Sequence, residues 1–380
     1  MHHLTPLALL TFSALVTSCG DGPVSPRILE LGDTAQTRGT LLASGESPIY
    51  DNLAWVPGTE LVAFTTLMPA GRFAIKTVDA VSGSIVVVDG DAVSQRLLDG
   101  PYFTSLVAAP DGSALYYTVG IGDWRNSEWQ LRRVNPRVGG TSALRSAVGP
   151  ALAVSSDGQY LAYVAWGSSI DYDSLIVRDL KSGAERYYAD YDGRTGTGGP
   201  IAFSADGTAL LYGQWAPFSW PLRRLSLSDG AGATVSLPDG VFHAQLFHWG
   251  GSGIGALAEV SQQYPSDYRV FDLTTGASVQ VGAIQTGQGV PLEAWVEGYE
   301  AWSADGTRVA YWIERCLRWA GFADCGVARY ALFVADARTG SRVQVAYTDR
   351  GAGPTVFSPD GRRIVYHSSA GGEFYAIQTQ

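Results

Sequence analysis

Few side chains in this sequence are of the kind that perform chemistry, and they are unevenly spread. Two close acidic pairs, Asp171 with Asp173 and Asp190 with Asp192, stand in stretches rich in Gly, Ser and Tyr. Oxygen-rich loops of this kind suit Ca2+, so the four carboxylates are candidate ligands for a structural calcium ion. Neither pair has the full spacing of a calcium-binding loop, and solvated Asp in turns is the alternative reading. Beyond the first few residues the histidines are His243, His248 and His367. His243 and His248 are five apart across a strand start, so alternation sends them to opposite faces. His367 follows a strand and reads as structural. Enzymes that cluster histidines around a metal would need ligands this chain does not have. There is no Gly-x-Ser-x-Gly elbow, His-Glu-x-x-His pair or Gly-rich phosphate loop. Carboxylate-based glycosidase chemistry stays open, because Asp and Glu from distant segments can meet without a sequence signature. A set of aromatics completes the inventory: Trp124, Trp166, Trp215, Phe218, Trp220, Tyr264, Trp295 and Trp319. Aromatics in irregular segments anchor sugars or protein partners, or else cap local core.

What must position these residues is a repeated unit. Its cleanest copy is Val356-Phe-Ser-Pro-Asp-Gly-Arg-Arg-Ile-Val-Tyr366. Pro359 fixes φ, Asp360 bonds back to the backbone and Gly361 accepts positive φ, so the centre is a tight turn. Phe357 before it and Ile364, Val365 and Tyr366 after it are strand formers. The Asp-Gly turns recur at Asp111, Asp157, Asp206, Asp305 and Asp360, spaced 46, 49, 99 and 55 residues apart. The 99 is two periods with one worn copy near Phe247–Leu257, and a copy without Asp opens the series at Ala54–Phe64. Seven units of roughly 40–50 residues, made of strands and turns, predict an all-β, seven-bladed β-propeller with four-stranded antiparallel blades.

A second signature marks the turn between the third and fourth strand of a blade. It reads Val78-Asp-Ala-Val-Ser-Gly83, Arg178-Asp-Leu-Lys-Ser-Gly183, Phe271-Asp-Leu-Thr-Thr-Gly276 and Ala335-Asp-Ala-Arg-Thr-Gly340. After Tyr366 only Glu373–Ile377 remains, one strand short of a blade. Arg38–Ala43 resembles a fourth strand and is expected to pair with the C-terminal one, because an open ring would leave an exposed edge. Residues 38–380 then form one domain. In such a ring the first–second and third–fourth strand turns share one face. The other face receives the long connections, including Gly120–Glu128, Trp166–Ser174, Gln214–Pro221, Ser261–Asp267, Glu314–Ala328, Tyr191–Pro200 and Thr286–Gly298, which carry the aromatics and acidic pairs above. Long loops gathered at one face of a rigid scaffold are where binding is located.

The N-terminus gives an address. Leu4–Val16 is an apolar run too short to span a bilayer, and it ends in Val16-Thr-Ser-Cys19. That ending resembles the lipobox of bacterial lipoproteins, although the leader carries His2 and His3 in place of Lys or Arg; an ordinary secretory signal is the alternative. The resemblance implies a signal peptide over residues 1–18, lipidation of Cys19 and a polar tether over 19–37. With Gly20 after the Cys, it implies an anchor in the outer membrane. In an exported, oxidising setting Cys316 and Cys325 are expected to form a disulfide, the alternative being two free thiols. Net charge is −10, and only Lys76 and Lys181 among the 26 basic residues are lysine. No basic patch is available to neutralise phosphates, which excludes nucleic acid as a partner.

The Ser-Pro-Asp-Gly turn followed by two apolar residues and Tyr resembles the WD-like repeat of TolB-type β-propellers, over essentially all of residues 38–380. The resemblance implies the fold and little about activity. TolB-type propellers usually have six blades and often follow a small α/β domain; this chain has seven units and no such domain. The expectation is a monomeric, non-enzymatic envelope lipoprotein. It would bind an envelope protein or a polysaccharide through the long-loop face, with Trp124, Trp166, Trp215, Trp220, Tyr264, Trp295 and Trp319 as anchors. No cofactor beyond a structural calcium is expected. The alternative is a carbohydrate-active or other small-molecule enzyme with an acidic channel mouth.

Overall fold

The computed structural model describes residues 38–46, 48–68, 72–90, 105–121, 128–165, 174–188, 201–213, 222–235, 243–250, 253–259, 267–272, 277–283, 286–287, 290–291, 293–321, 324–349, 351–369 and 371–379. These residues form strands and turns, with no helix among them. They make seven four-stranded antiparallel sheets and one two-residue pairing of Thr286–Gly287 with Val290–Pro291. Six sheets use four consecutive strands each, so one sequence unit becomes one sheet. The seventh joins Thr355–Phe357, Arg363–Ser368 and Glu373–Gln378 to Thr40–Ala43 from the other end of the chain. Thr40 lies opposite Ala376 and Leu41 opposite Tyr375, the pairing that the truncated last unit requires.

The repeated turn is regular because its own hydrogen bonds close it. Ser358 Oγ donates to Asp360 Oδ1 at 2.6 Å and accepts from Arg363 N at 2.9 Å. Asp360 Oδ1 also accepts from Arg362 N at 3.0 Å, and Ser358 N donates to Arg363 O. Ser155, Ser204 and Ser303 repeat the serine–aspartate bond with Asp157, Asp206 and Asp305, each at 2.6 Å. All four serines are buried, so the hydroxyl replaces a water the turn cannot reach. Where the first unit has Val56 in place of Ser, Thr59 Oγ1 donates to Val56 O and accepts from Leu61 N. The second signature works the same way. Asp79, Asp179 and Asp336 each accept two backbone N–H groups through Oδ1.

Neighbouring sheets pack face to face through alternate residues of their strands. Leu115, Tyr117 and Val119 bury against the first sheet, while Ala114 and Tyr116 join a cluster with the third. Further clusters join the third sheet to the fourth, the fifth to the sixth and the sixth to the seventh. Another joins the first sheet to the seventh, with Leu42 and Ala43 packed against Phe64, Val78 and Phe374. The motif tyrosine lies at these joints. Tyr366 Oη donates to Arg38 O at 2.6 Å, Tyr311 Oη to Val281 O and Tyr117 Oη to Asp89. The Thr40–Ala43 strand is therefore held by its ladder, by core and by a tyrosine. Glu46 extends the hold: Lys76 Nζ pairs with both of its carboxylate oxygens at 2.8 Å.

Three expectations need correction. Glu314–Ala328 is not an irregular loop; most of it is strand, within Arg308–Gly321 and Asp324–Asp336. Trp295 does not lie in a connection, but within the strand Glu293–Trp302 that begins the sixth sheet. The alternation used to separate His243 from His248 is interrupted by a register shift between Ala244 and Leu246, so spacing alone does not assign their faces.

Candidate functional site

The two ends of the sheets are built differently. At the turn end, the repeated carboxylates are all engaged by their own turns. Hydrogen bonds from Ser204 and Thr208 bring the Asp206 carboxyl down to about 2. Burial pushes Asp305 up, but bonds from Ser303 and Thr307 outweigh it and bring it to about 2 as well. These carboxylates are locked in the ionised form, which suits a turn and not a proton-transfer group.

At the opposite end the second strand of a sheet becomes polar as it approaches its connection. Thr65, Thr66, Thr118, His367 and Ser368 are buried there. Thr118 exchanges two bonds with Ser105, its N donating to Ser105 O at 3.1 Å and its Oγ1 accepting from Ser105 N at 3.2 Å. His367 N donates to Pro354 O at 3.0 Å, and Trp312 Nε1 donates to Gly353 O at 3.0 Å and Thr355 Oγ1 at 2.9 Å. Thr118 and His367 thus fasten the segment that enters their own sheet, and Trp312 fastens the segment that enters the next. His367 packs on Phe374, with Nε2 3.3 Å from Glu46 O, and burial lowers its pKa to about 4. It is neutral at neutral pH and serves the seventh sheet, as the sequence suggested.

Most of the residues singled out as binding or metal ligands lie outside the described residues: Trp124, Trp166, Trp215, Phe218, Trp220, Tyr264, Asp171, Asp173, Asp190, Asp192 and Cys19. Trp295 and Trp319 are described through their backbones, opposite Glu314 and Cys325. Cys316 pairs with Ala328 and Cys325 with Trp319, so the two cysteines are not directly opposite one another. Among the described residues no group of three His, Cys, Asp or Glu is arranged to hold a metal ion.

The sixth sheet supplies a feature the sequence did not announce. Its second and third strands have 14 and 13 residues, against 5–8 for the corresponding strands of the other sheets. Ladder partners from the first strand end at Arg315, and those from the fourth strand end at Tyr330. Residues 316–321 and 324–328 therefore continue as a two-stranded ribbon, on the side of the long connections. At about 3.3 Å per residue it extends the sheet by roughly 15–20 Å. Only its sequence, Cys316-Leu-Arg-Trp-Ala-Gly-Phe-Ala-Asp-Cys325, with hydrophobic residues and few charges, could have hinted at it.

A half-buried ionic cluster was also invisible in the sequence. Glu185 accepts from Tyr163 Oη, Arg145 Nη1 and, at 2.9 Å, Arg178 Nη1. Burial raises its carboxyl, but Tyr163 and the two arginines outweigh this and lower it overall. The group braces the second sheet on the third.

No protein-family model matches the sequence, and no curated protein sequence matches it. Solved structures do match. An oligogalacturonate lyase in complex with manganese is 14% identical, with a TM-score of 0.62 over 92% of this chain and 96% of that one. A hydrazine synthase chain of Kuenenia stuttgartiensis is 12% identical, with a TM-score of 0.57 over 89% of this chain and 97% of the other. TolB from Acinetobacter baumannii is 15% identical with a TM-score of 0.49 over 76% of this chain, which spans 64% of that TolB. At these identities the likeness shows the fold: the chain is a β-propeller.

Proposed function

We propose that this chain is a non-enzymatic envelope lipoprotein whose propeller binds a protein or wall-associated ligand through the face of its long connections. One observation carries the reading: the sheets divide their labour between their ends. The turn end is closed by its own hydrogen bonds, whereas the opposite end carries the long connections and the ribbon of the sixth sheet. A rigid ring that presents long segments and a projecting ribbon on one side suits recognition of an extended partner surface. Trp124, Trp166, Trp215, Trp220, Tyr264, Trp295 and Trp319 supply its aromatic anchors.

Lipid on Cys19 would hold the ring at a membrane through the 19–37 tether. The mass of the membrane-extracted chain tests the anchor: a diacylglyceryl adduct that disappears in Cys19→Ala is expected. A capture experiment from envelope extracts tests the face, with the wild type compared with a Trp124→Ala, Trp220→Ala, Trp319→Ala variant. Unchanged capture by the variant would count against this face. A disulfide between Cys316 and Cys325 would staple the ribbon, though the strand register must adjust to bring them together. Calcium at the Asp171/Asp173 and Asp190/Asp192 loops would order the third unit's connections.

A further inference from the structure

Two of the gaps between neighbouring sheets are filled by an arginine from the start of a second strand. Arg308 of the sixth sheet donates Nη2 to Gly361 O in the seventh sheet's turn at 2.6 Å, with its guanidinium 5.6 Å from the Phe357 ring. Arg363 of the seventh sheet pairs with Glu60 in the first sheet's turn and lies 5.3 Å from the Trp55 ring. The molecule thus shows twice that a guanidinium fits this gap, against a turn acceptor and over an aromatic face.

The third sheet has Tyr160 at that place, and the fourth sheet's turn opposes it with Gly207 and Thr208. The gap stays open as a cleft of about 390 Å3, lined by Tyr160, Asp179, Glu185, Arg186, Thr208 and Ser228 among others. The contrast is direct at the glycine. A Cβ on Gly361 would come 2.4 Å from Arg308 Nη2, whereas one on Gly207 would meet nothing within 4 Å. Phe203, which corresponds to Phe357 and Trp55, is buried in a cluster against which Tyr160 packs, so Tyr160 is the aromatic wall the cleft presents. Around the mouth four carboxylates stand against three guanidinium groups. Asp179 lines it, and Asp206 and Asp229 neighbour lining residues; the turn hydrogen bonds of all three keep them ionised. Glu185 is matched by Arg145 and Arg178. Arg186 is turned onto Leu227 O and Ser228 O and lies over Tyr188, so it leaves the cleft unfilled.

We propose that this cleft is a receptor for a guanidinium group of a partner polypeptide, seated between the third and fourth sheets as Arg308 is seated between the sixth and seventh. It lies at the turn end and does not depend on the reading of the long-connection face. An isolated side chain binds weakly there, and its value is as a second contact joined to a first. The test titrates the full chain with N-acetyl-arginine methylamide and with its neutral isostere N-acetyl-citrulline methylamide, following the amide resonances of Ala184, Gly207 and Thr208. Saturable shifts with the arginine compound, and affinity at least about tenfold lower for the citrulline compound, are expected. Tyr160→Arg fills the cleft from within and should abolish the shifts. Thr208→Arg blocks it from the rim and is independently safe to fold, because the seventh sheet carries Arg362 at the same turn position. The proposal is overturned by no saturable shift in the wild type, by equal binding of both compounds, or by undiminished binding to Thr208→Arg.

Discussion

Gly112 and Gly207 occupy the same place in two copies of the repeated turn and have the same φ, +68°. Alanine at either must adopt the left-handed conformation, at about 1–2 kcal/mol. At Gly207 nothing further opposes it, since no atom lies within 4 Å of the new Cβ. At Gly112 the Cβ would stand 2.1 Å from Pro57 O and 3.2 Å from Pro57 C, in the turn of the neighbouring sheet. Relief requires that turn to withdraw by about 1 Å, and a backbone carbonyl cannot rotate away as a side-chain tip can; overpacking of this kind costs about 1–3 kcal/mol. Gly207→Ala is therefore expected to lose about 1–2 kcal/mol and Gly112→Ala about 2–5 kcal/mol. Denaturant midpoints followed by fluorescence of the 11 tryptophans measure the difference, with unchanged m-values confirming that the same transition is compared. Equal midpoints for the two variants would refute the inference that adjacent turns bear on one another, and with it the close stacking of the first sheet on the second.

The closing strand gives a second prediction: Tyr366→Phe removes the bond to Arg38 O and should lower stability by about 1 kcal/mol, with earlier proteolytic release of the N-terminal strand. His367 gives a pH dependence. Its folded pKa, about 4, lies below the ordinary 6.5, so the unfolded chain takes up the proton first as pH falls. The contribution of neutral His367 is complete above about pH 6.5 and declines toward pH 4, by up to about 3 kcal/mol, and His367→Gln should flatten that part of the stability–pH curve. At the turns, Ser204→Ala should move the Asp206 carboxyl upward from about 2, read directly by carboxyl resonance titration. An unmoved titration would show that the serine bond is not what holds it down.

The fold was legible because its determinants are local. Each Ser-x-Asp-Gly turn closes its hydrogen bonds within six residues, so Ser358 through Arg363 is enough to specify a hairpin. The closing strand was legible by subtraction, one strand absent at the C-terminus and one spare at Arg38–Ala43. What sequence could not supply was any feature made between units. The glycines of the turns read as positive φ, yet Gly112 is also where two sheets approach too closely for a Cβ. The motif tyrosine read as a strand former, yet Tyr366 and Tyr311 bond backbone carbonyls of residues far along the chain, Arg38 and Val281. The Glu185 cluster combines partners 7, 22 and 40 positions away, spacings with no local signature. The ribbon was missed because Gly321 and Asp324 mimic a loop, and periodicity over so mixed a stretch distinguishes poorly between a loop and an extended hairpin.

A repeated scaffold changes how its exceptions should be weighed. A residue that recurs in several units is explained by the unit: Asp157, Asp206, Asp305 and Asp360 do the same thing four times, and none needs a ligand to account for it. A residue that departs from its counterparts has lost that explanation. Tyr160 stands where Arg308 and Arg363 fill their gaps, and the consequence is a cleft. The strands Arg308–Gly321 and Asp324–Asp336 run on past their neighbours, and the ribbon makes no described ladder contact on either edge. The ribbon forgoes the ladder partners its neighbouring strands have, and the gap at Tyr160 forgoes the contact that Arg308 and Arg363 make in theirs, so neither follows from the requirements of the ring. They fall at opposite ends of the sheets, which means a partner that engaged both would have to reach around the rim, whereas two separate partners would not compete. Binding of an arginine probe that is indifferent to loss of the aromatic anchors is the outcome this geometry requires.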